Sequence, residues 1–135
     1  MGFDADTLWL DGEFVDFEDA NVHVLTHTLH YGLGAFEGIR CYQREDGRSA
    51  IFRLEEHIDR LYETCKIATL DIPWKRETLA EVCVEVVARN GFADSYIRPV
   101  VFLGDGEMGL GATSNDVRVA IVTWEWGAYL GEEGL

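Results

Sequence analysis

The middle of the chain changes period, and that change limits what it can fold into. Leu54, Ile58, Leu61, Cys65 and Ala68 recur at steps of four and three, one face of a helix. Leu79, Val82, Cys83, Val86 and Val87 share a face after Pro73, and Gly91 is placed to stop that second helix. On both sides the pattern is alternation instead. TLWLDGEFV reads as a hairpin, with Asp11-Gly12 a strong type I′ turn signal. NVHVL (21–25) reads as a short strand. Residues 36–42 alternate again, and REDGR (44–48) turns the chain into SAIFR (49–53) as a second hairpin. YIRPVVFL (96–103) and VRVAIVTW (117–124) read as strands, joined by the glycine-rich GDGEMGLGATSND. Strands flanking a helical pair predict an α+β fold, a mainly antiparallel sheet with two helices packed on one face.

A chain of 135 residues with 47% hydrophobic residues suits one globular domain. The net charge of −14 argues against nucleic acid and anionic membrane as partners, since both call for basic patches. No apolar run approaches the roughly 18 residues of a membrane span. The start, MGFDADTLWLDGEF, has acids where a signal peptide needs a basic stretch, so a cytoplasmic location is expected. The acids spread along the whole chain, a surface that a high-salt cytoplasm would favour. Cys41, Cys65 and Cys83 form no CxxC pair and read as buried thiols. His27-x-x-His30 has no partner at a recognised zinc spacing, so no metal is expected.

Alternate residues of a strand share a face. Phe36, Gly38, Arg40 and Tyr42 fall on one face of their segment, and Tyr96, Arg98, Val100 and Phe102 on one face of theirs. Each strand therefore sets an arginine beside an aromatic residue. Each arginine needs a carboxylate, water or a ligand. Structural ion pairs with the many acids satisfy that need, and so does an anion-binding cavity with Gly38 opening the backbone. Pro99 cannot donate to a ladder, so its position needs an edge, a bulge or an outward N–H, and strand 96–103 is expected to border an opening. Arg60 lies off the core face of the first helix, near His57, as a solvated residue or a phosphate ligand. Gly104–Gly111 spells GxGxxGxG, but a strand and no helix follows, which rules out a Rossmann fingerprint. The loop is either a flexible connection or a cover over substrate.

The blocks HYGLGAFEGIRCY, FRLEEHIDRL, YIRPVVFLGDGEMGLG and WEWGAYLG resemble the N-terminal small domain of branched-chain amino acid aminotransferases, fold type IV pyridoxal-phosphate enzymes. The resemblance runs along nearly the whole chain, in the same order. It implies a small domain over 1–129 and the start of an interdomain linker at 130–135, with the large C-terminal domain absent. It implies a transaminase moving an amino group from leucine, isoleucine or valine to 2-oxoglutarate. D-amino acid transaminases and aminodeoxychorismate lyases share the fold, and a non-catalytic binding or dimerisation module is the other alternative. Arg60 takes the place of the residue that grips the pyridoxal 5′-phosphate. Tyr31, Phe36 and Gly38 line the substrate pocket, and Arg40, Tyr96 and Arg98 form its polar, carboxylate-handling side. Met108 and Leu110 sit in an interdomain-facing loop, and Trp126 and Tyr129 close the pocket near the linker. The family's enzymes are homodimers, in which Tyr31 and Leu110 look toward the neighbouring subunit's site. The Schiff-base lysine belongs to the large domain. Neither Lys66 nor Lys75 sits in a matching motif, so no catalytic residue is assigned and this length of chain is expected to be inactive alone.

The charge generates a first test. Added salt shortens the screening length from about 30 Å at 0.01 M to about 3 Å at 1 M, which weakens self-repulsion among the acids. Thermal unfolding followed by circular dichroism should shift upward over that range. A midpoint that falls would contradict a salt-adapted surface.

Overall fold

The computed structural model describes residues 5–125. The 130–135 segment expected to begin a linker lies outside the described residues. Seven strands form one sheet: β1 (Thr7–Leu10), β2 (Glu13–Asp16), β3 (Gly34–Phe36), β4 (Ile39–Gln43), β5 (Ser49–Ile51), β6 (Ser95–Leu103) and β7 (Val117–Trp124). A short helix, α1 (His27–Tyr31), precedes β3, and two long helices, α2 (Leu54–Ile67) and α3 (Arg76–Asn90), separate β5 from β6. The strand order is β2-β1-β7-β6-β4-β5, with β3 also on β6, and every pairing is antiparallel. The expected α+β architecture is the one found.

Each element follows from its residues. In the first hairpin Asp11 (φ 48°) and Gly12 (φ 107°) both take positive φ, as a type I′ turn requires. Asp11 also ties the turn to β7. Its carboxylate accepts from the Val119 amide (2.8 Å) and from Arg118 Nε (2.7 Å). Helix α2 buries Ile58, Leu61 and Cys65, and α3 buries Leu79, Val82, Cys83, Val86 and Val87, the faces read from the period. Gly91 ends α3 in the left-handed region (φ 69°). Those faces pack on Ile39, Cys41, Ile97, Val101, Val119 and Ile121, which point to one side of the sheet and form the core. The three cysteines are free and buried there. Burial pushes the Cys65 thiol up to about 11 and Cys83 up to about 12, so neither is a nucleophile near neutral pH.

One local reading needs correction. Residues 21–25 form no strand. The Thr26 amide (2.9 Å) and hydroxyl (2.6 Å) both donate to the His23 carbonyl, and the Leu25 amide donates to His23 Nδ1 (3.1 Å). These local bonds turn the chain where alternation alone suggested extension. Of the alternatives open to Pro99, an edge is not the one found. The residue is buried in the interior strand β6, opposite Ile121 on β7. On its other side the partner strand is interrupted. β3 (Phe36 opposite Val100) and β4 (Ile39 opposite Ile97) keep one register across a gap at residues 37 and 38. Within the gap the Glu37 amide donates to the Pro99 carbonyl (3.0 Å), but Pro99 has no N–H to return. The missing donor is absorbed by a break in the neighbouring strand.

Ile97, fully buried between the helices and the sheet, tests this core. Ile97→Ala should lower the free energy of unfolding by about 2–5 kcal/mol in urea titrations. A loss below about 0.5 kcal/mol would contradict the packing described.

Candidate functional site

On the sheet face away from the long helices, cross-strand pairing brings together residues far apart in the chain. Arg40 stands opposite Tyr96, Tyr96 opposite Trp124, and Phe36 opposite Val100. Arg98 projects among them. Its guanidinium lies 4.2 Å from the centre of the Phe36 ring, 5.2 Å from Tyr96 and 5.8 Å from Trp124. These are cation–π distances, which hold a positive charge without neutralising it. Arg98 Nη2 donates to the Tyr96 hydroxyl (3.0 Å), while its Nε–H is buried with no hydrogen-bond partner among the described residues. Among the described residues no carboxylate pairs with it. A half-buried, unneutralised guanidinium with a spare N–H is suited to receive an anion. Arg40 lies over the Tyr42 ring at 5.4 Å on the same face.

Gly38 is required by this arrangement. A Cβ there would come within 1.9 Å of the Tyr96 hydroxyl oxygen. The backbone opens at residue 38 for the protein's own tyrosine, and that tyrosine positions Arg98.

The strand break has a consequence on the opposite face. Glu37 points toward the helices and is only 5% exposed. Arg60 of α2 donates to both its oxygens, Nε to Oε1 at 2.7 Å and Nη2 to Oε2 at 2.8 Å, and His57 Nδ1 donates to Oε2 at 2.9 Å. Burial alone would raise the Glu37 carboxyl. The hydrogen bonds from Arg60 and His57, and the charge of Arg60, outweigh it and hold the group below the ordinary carboxylate range. In return Glu37 pushes Arg60 up. The Arg60 side chain remains 67% exposed, and its other N–H groups have no partner among the described residues. It is a fixed cation held from behind.

A third group stands at the far end of β6. Tyr31 lies on α1, and Met108 and Leu110 lie on the β6–β7 loop. That loop is not a slack connection. Asn115 accepts from the Glu107 amide (2.8 Å) and donates to the carbonyls of Gly104 (2.9 Å) and Glu107 (3.0 Å). His27 Nε2 donates to the Gly109 carbonyl (2.8 Å).

Of the residues singled out from the sequence, Phe36, Gly38, Arg40, Tyr96 and Arg98 share one surface. Arg60 approaches from the helix side through Glu37, and Tyr31, Met108 and Leu110 form a separate group. Trp126 and Tyr129 lie outside the described residues. Sequence reading missed Glu37, Trp124, His27 and Asn115. Trp124 was legible, being the next residue of the Arg118, Ala120, Val122 face. Glu37 offered one signal, a carboxylate on the inward side of an alternating strand.

Glu37 has a depressed pKa, so its contribution to stability is complete above the unfolded value, about 4.3. It is lost as pH falls through the folded value. Glu37→Gln should lower the urea midpoint at pH 7 and flatten its decline between about pH 5 and pH 3. An unchanged acid slope would show that the carboxylate is not held by these two donors.

Comparison with known proteins agrees with this geometry. Residues 34–134 match the family "Amino-transferase class IV". The chain is 49% identical over 128 residues to the branched-chain-amino-acid aminotransferase of Pseudomonas aeruginosa, covering 95% of this chain and 41% of that protein. Among solved structures, the Escherichia coli branched-chain amino acid aminotransferase superposes with a TM-score of 0.92 at 42% identity, over 97% of this chain and 43% of that one. The T.th. branched-chain amino acid aminotransferase, complexed with N-(5′-phosphopyridoxyl)-L-glutamate, superposes with a TM-score of 0.88 at 41% identity, over 93% and 42%. The chain thus spans about two fifths of the length of these relatives. By sequence and by fold, the chain belongs to the class IV aminotransferase family.

Proposed function

We propose that this chain is the small-domain portion of a branched-chain amino acid transaminase, which passes an amino group from leucine, isoleucine or valine to 2-oxoglutarate. The observation that carries the reading is Arg98, half-buried among Phe36, Tyr96 and Trp124 with its Nε buried and no carboxylate partner among the described residues. It takes the carboxylate of the amino or oxo acid, with the Tyr96 hydroxyl holding it in place. Phe36 supplies the apolar wall that a branched side chain needs, joined by Tyr31 of the second copy. Arg40 adds a second cation on the same face, for the more polar of the two substrate types.

The cofactor of this reading is pyridoxal 5′-phosphate. The residues present fit its phosphate end, because Arg60 is a fixed and exposed cation whose remaining N–H groups are unused by the described residues. When bound, the cofactor supplies an electron sink for removal of the α-proton. This chain's part is to bind and orient. Arg60 anchors the phosphate, Glu37 and His57 anchor Arg60, and Arg98 and Tyr96 turn the substrate carboxylate. The catalytic lysine in this reading belongs to a large domain that follows the small one in the polypeptide. Two copies pair, so that Tyr31 and Leu110 of one face the pocket of the other. The exposure of Val24 (70%), Leu29 (63%) and Leu110 (90%) supports a partner there. The setting is the cytoplasm, at high salt.

The test follows the reading frame past Leu135 and assays its whole product. Leucine-dependent amination of 2-oxoglutarate is expected, at rates well above those with D-alanine. Arg98→Lys should raise KM for leucine by roughly 10- to 100-fold, the worth of a charge-assisted hydrogen bond. Preference for D-alanine, or an unchanged KM, would overturn the assignment.

A further inference from the structure

Helix α1 has five residues, too few to persist without tertiary support. The loop from Gly104 to Asp116 has the opposite difficulty. Its apolar side chains do not hold it down, for Leu110 is 90% exposed and Met108 is exposed too. Polar clamps must place both, and His27 joins them. Its backbone amide donates to the Gly104 carbonyl (3.2 Å), and its ring Nε2 lies 2.8 Å from the Gly109 carbonyl oxygen. A carbonyl only accepts, so the ring is the Nε2–H tautomer. Its Nδ1 is buried without a hydrogen-bond partner among the described residues, and the whole residue is 3% exposed. The imidazole also lies against the Tyr31 ring, one turn along α1, with centroids 4.5 Å apart.

We propose that His27 is a positioning residue of the substrate site: it joins α1 and the Gly104–Asp116 loop into one unit and so fixes where Tyr31, Met108 and Leu110 stand. The proposal rests on the reading in which those three residues line a substrate pocket. Two neighbours complete the unit. Thr28 Oγ1 accepts from the Leu103 amide (2.8 Å), and Asn115 closes the far side of the loop. Neither of them touches Gly109. The Gly109 carbonyl, next to Leu110, is held by His27 and by the Ala112 amide (3.3 Å). Replacing the ring with an apolar side chain frees the half of the loop that carries Leu110 and leaves the Asn115 half in place.

The experiment compares wild type, His27→Leu and His27→Gln in the whole product of the reading frame. Glutamine keeps an amide donor for the Gly109 carbonyl, and leucine does not. In His27→Leu the Ala112 amide should exchange hydrogen roughly 2- to 10-fold faster, while the Glu107 amide, held by Asn115, stays protected. KM for leucine should rise by about the same factor with kcat little changed, and His27→Gln should recover most of both. Unchanged exchange at Ala112, or faster exchange with unchanged KM, overturns the proposal. Nitrogen NMR of the wild-type imidazole is an arm that needs no variant. It should find the proton on Nε2, and a proton on Nδ1 with bare Nε2 overturns the clamp. A wild-type enzyme that moves no amino group from leucine defeats the proposed function instead, while exchange and tautomer still decide the clamp.

Discussion

Pro99 has no amide hydrogen, and the strand beside it opens at residues 37 and 38. Much of the candidate site depends on that opening. An unbroken strand would exchange two hydrogen bonds between residues 37 and 99, and here one is made. Glu37 still takes its turn toward the helices and Gly38 its turn toward the other face. Glu37 carries its charge into the interior, where Arg60 and His57 satisfy it. Gly38 leaves the space that the Tyr96 hydroxyl fills. Adjacent residues on one strand thus place two different cations, Arg60 on the helix side and Arg98, through Tyr96, on the other.

The two cations are held by different physics. Arg60 is paired with a buried carboxylate, which fixes its position and leaves its outer edge in water. Arg98 is surrounded by aromatic rings, which attract its charge without cancelling it. A site handling a phosphate at one end and a carboxylate at the other needs fixed positive charge at both. Aromatic walls additionally favour apolar substrate side chains, which explains how one face suits a branched aliphatic group and a carboxylate together.

The helices were legible because their buried positions repeat at three and four residues over about two turns each. Arg98 beside Tyr96, and Phe36 in line with Arg40, were legible through alternation within a strand. That Arg98 reaches Phe36 was not, because register between β3 and β6 is set by tertiary packing. Glu37 meeting His57 and Arg60 is likewise a contact between a strand and a helix some 20 residues on, which no local period records. NVHVL was misread because its alternation has no sheet face to meet. Val22 and Val24 are exposed, and His23 and Thr26 bond locally instead. Pro99 was legible as a ladder defect, but that the neighbouring strand would yield to it was not, because pairing partners are set by tertiary packing. The resemblance to branched-chain aminotransferases supplied what geometry alone left open, the choice between structural ion pairs and an anion site.

The central claim is that the face around Arg98 receives a substrate carboxylate. The direct measurement is a crystal structure of the whole reading-frame product with a branched carboxylate such as 4-methylvalerate. Its carboxylate should lie within hydrogen-bonding distance of Arg98 or the Tyr96 hydroxyl, with its alkyl group against Phe36. A carboxylate bound elsewhere, with Arg98 closed off by a carboxylate of the protein itself, would contradict the assignment.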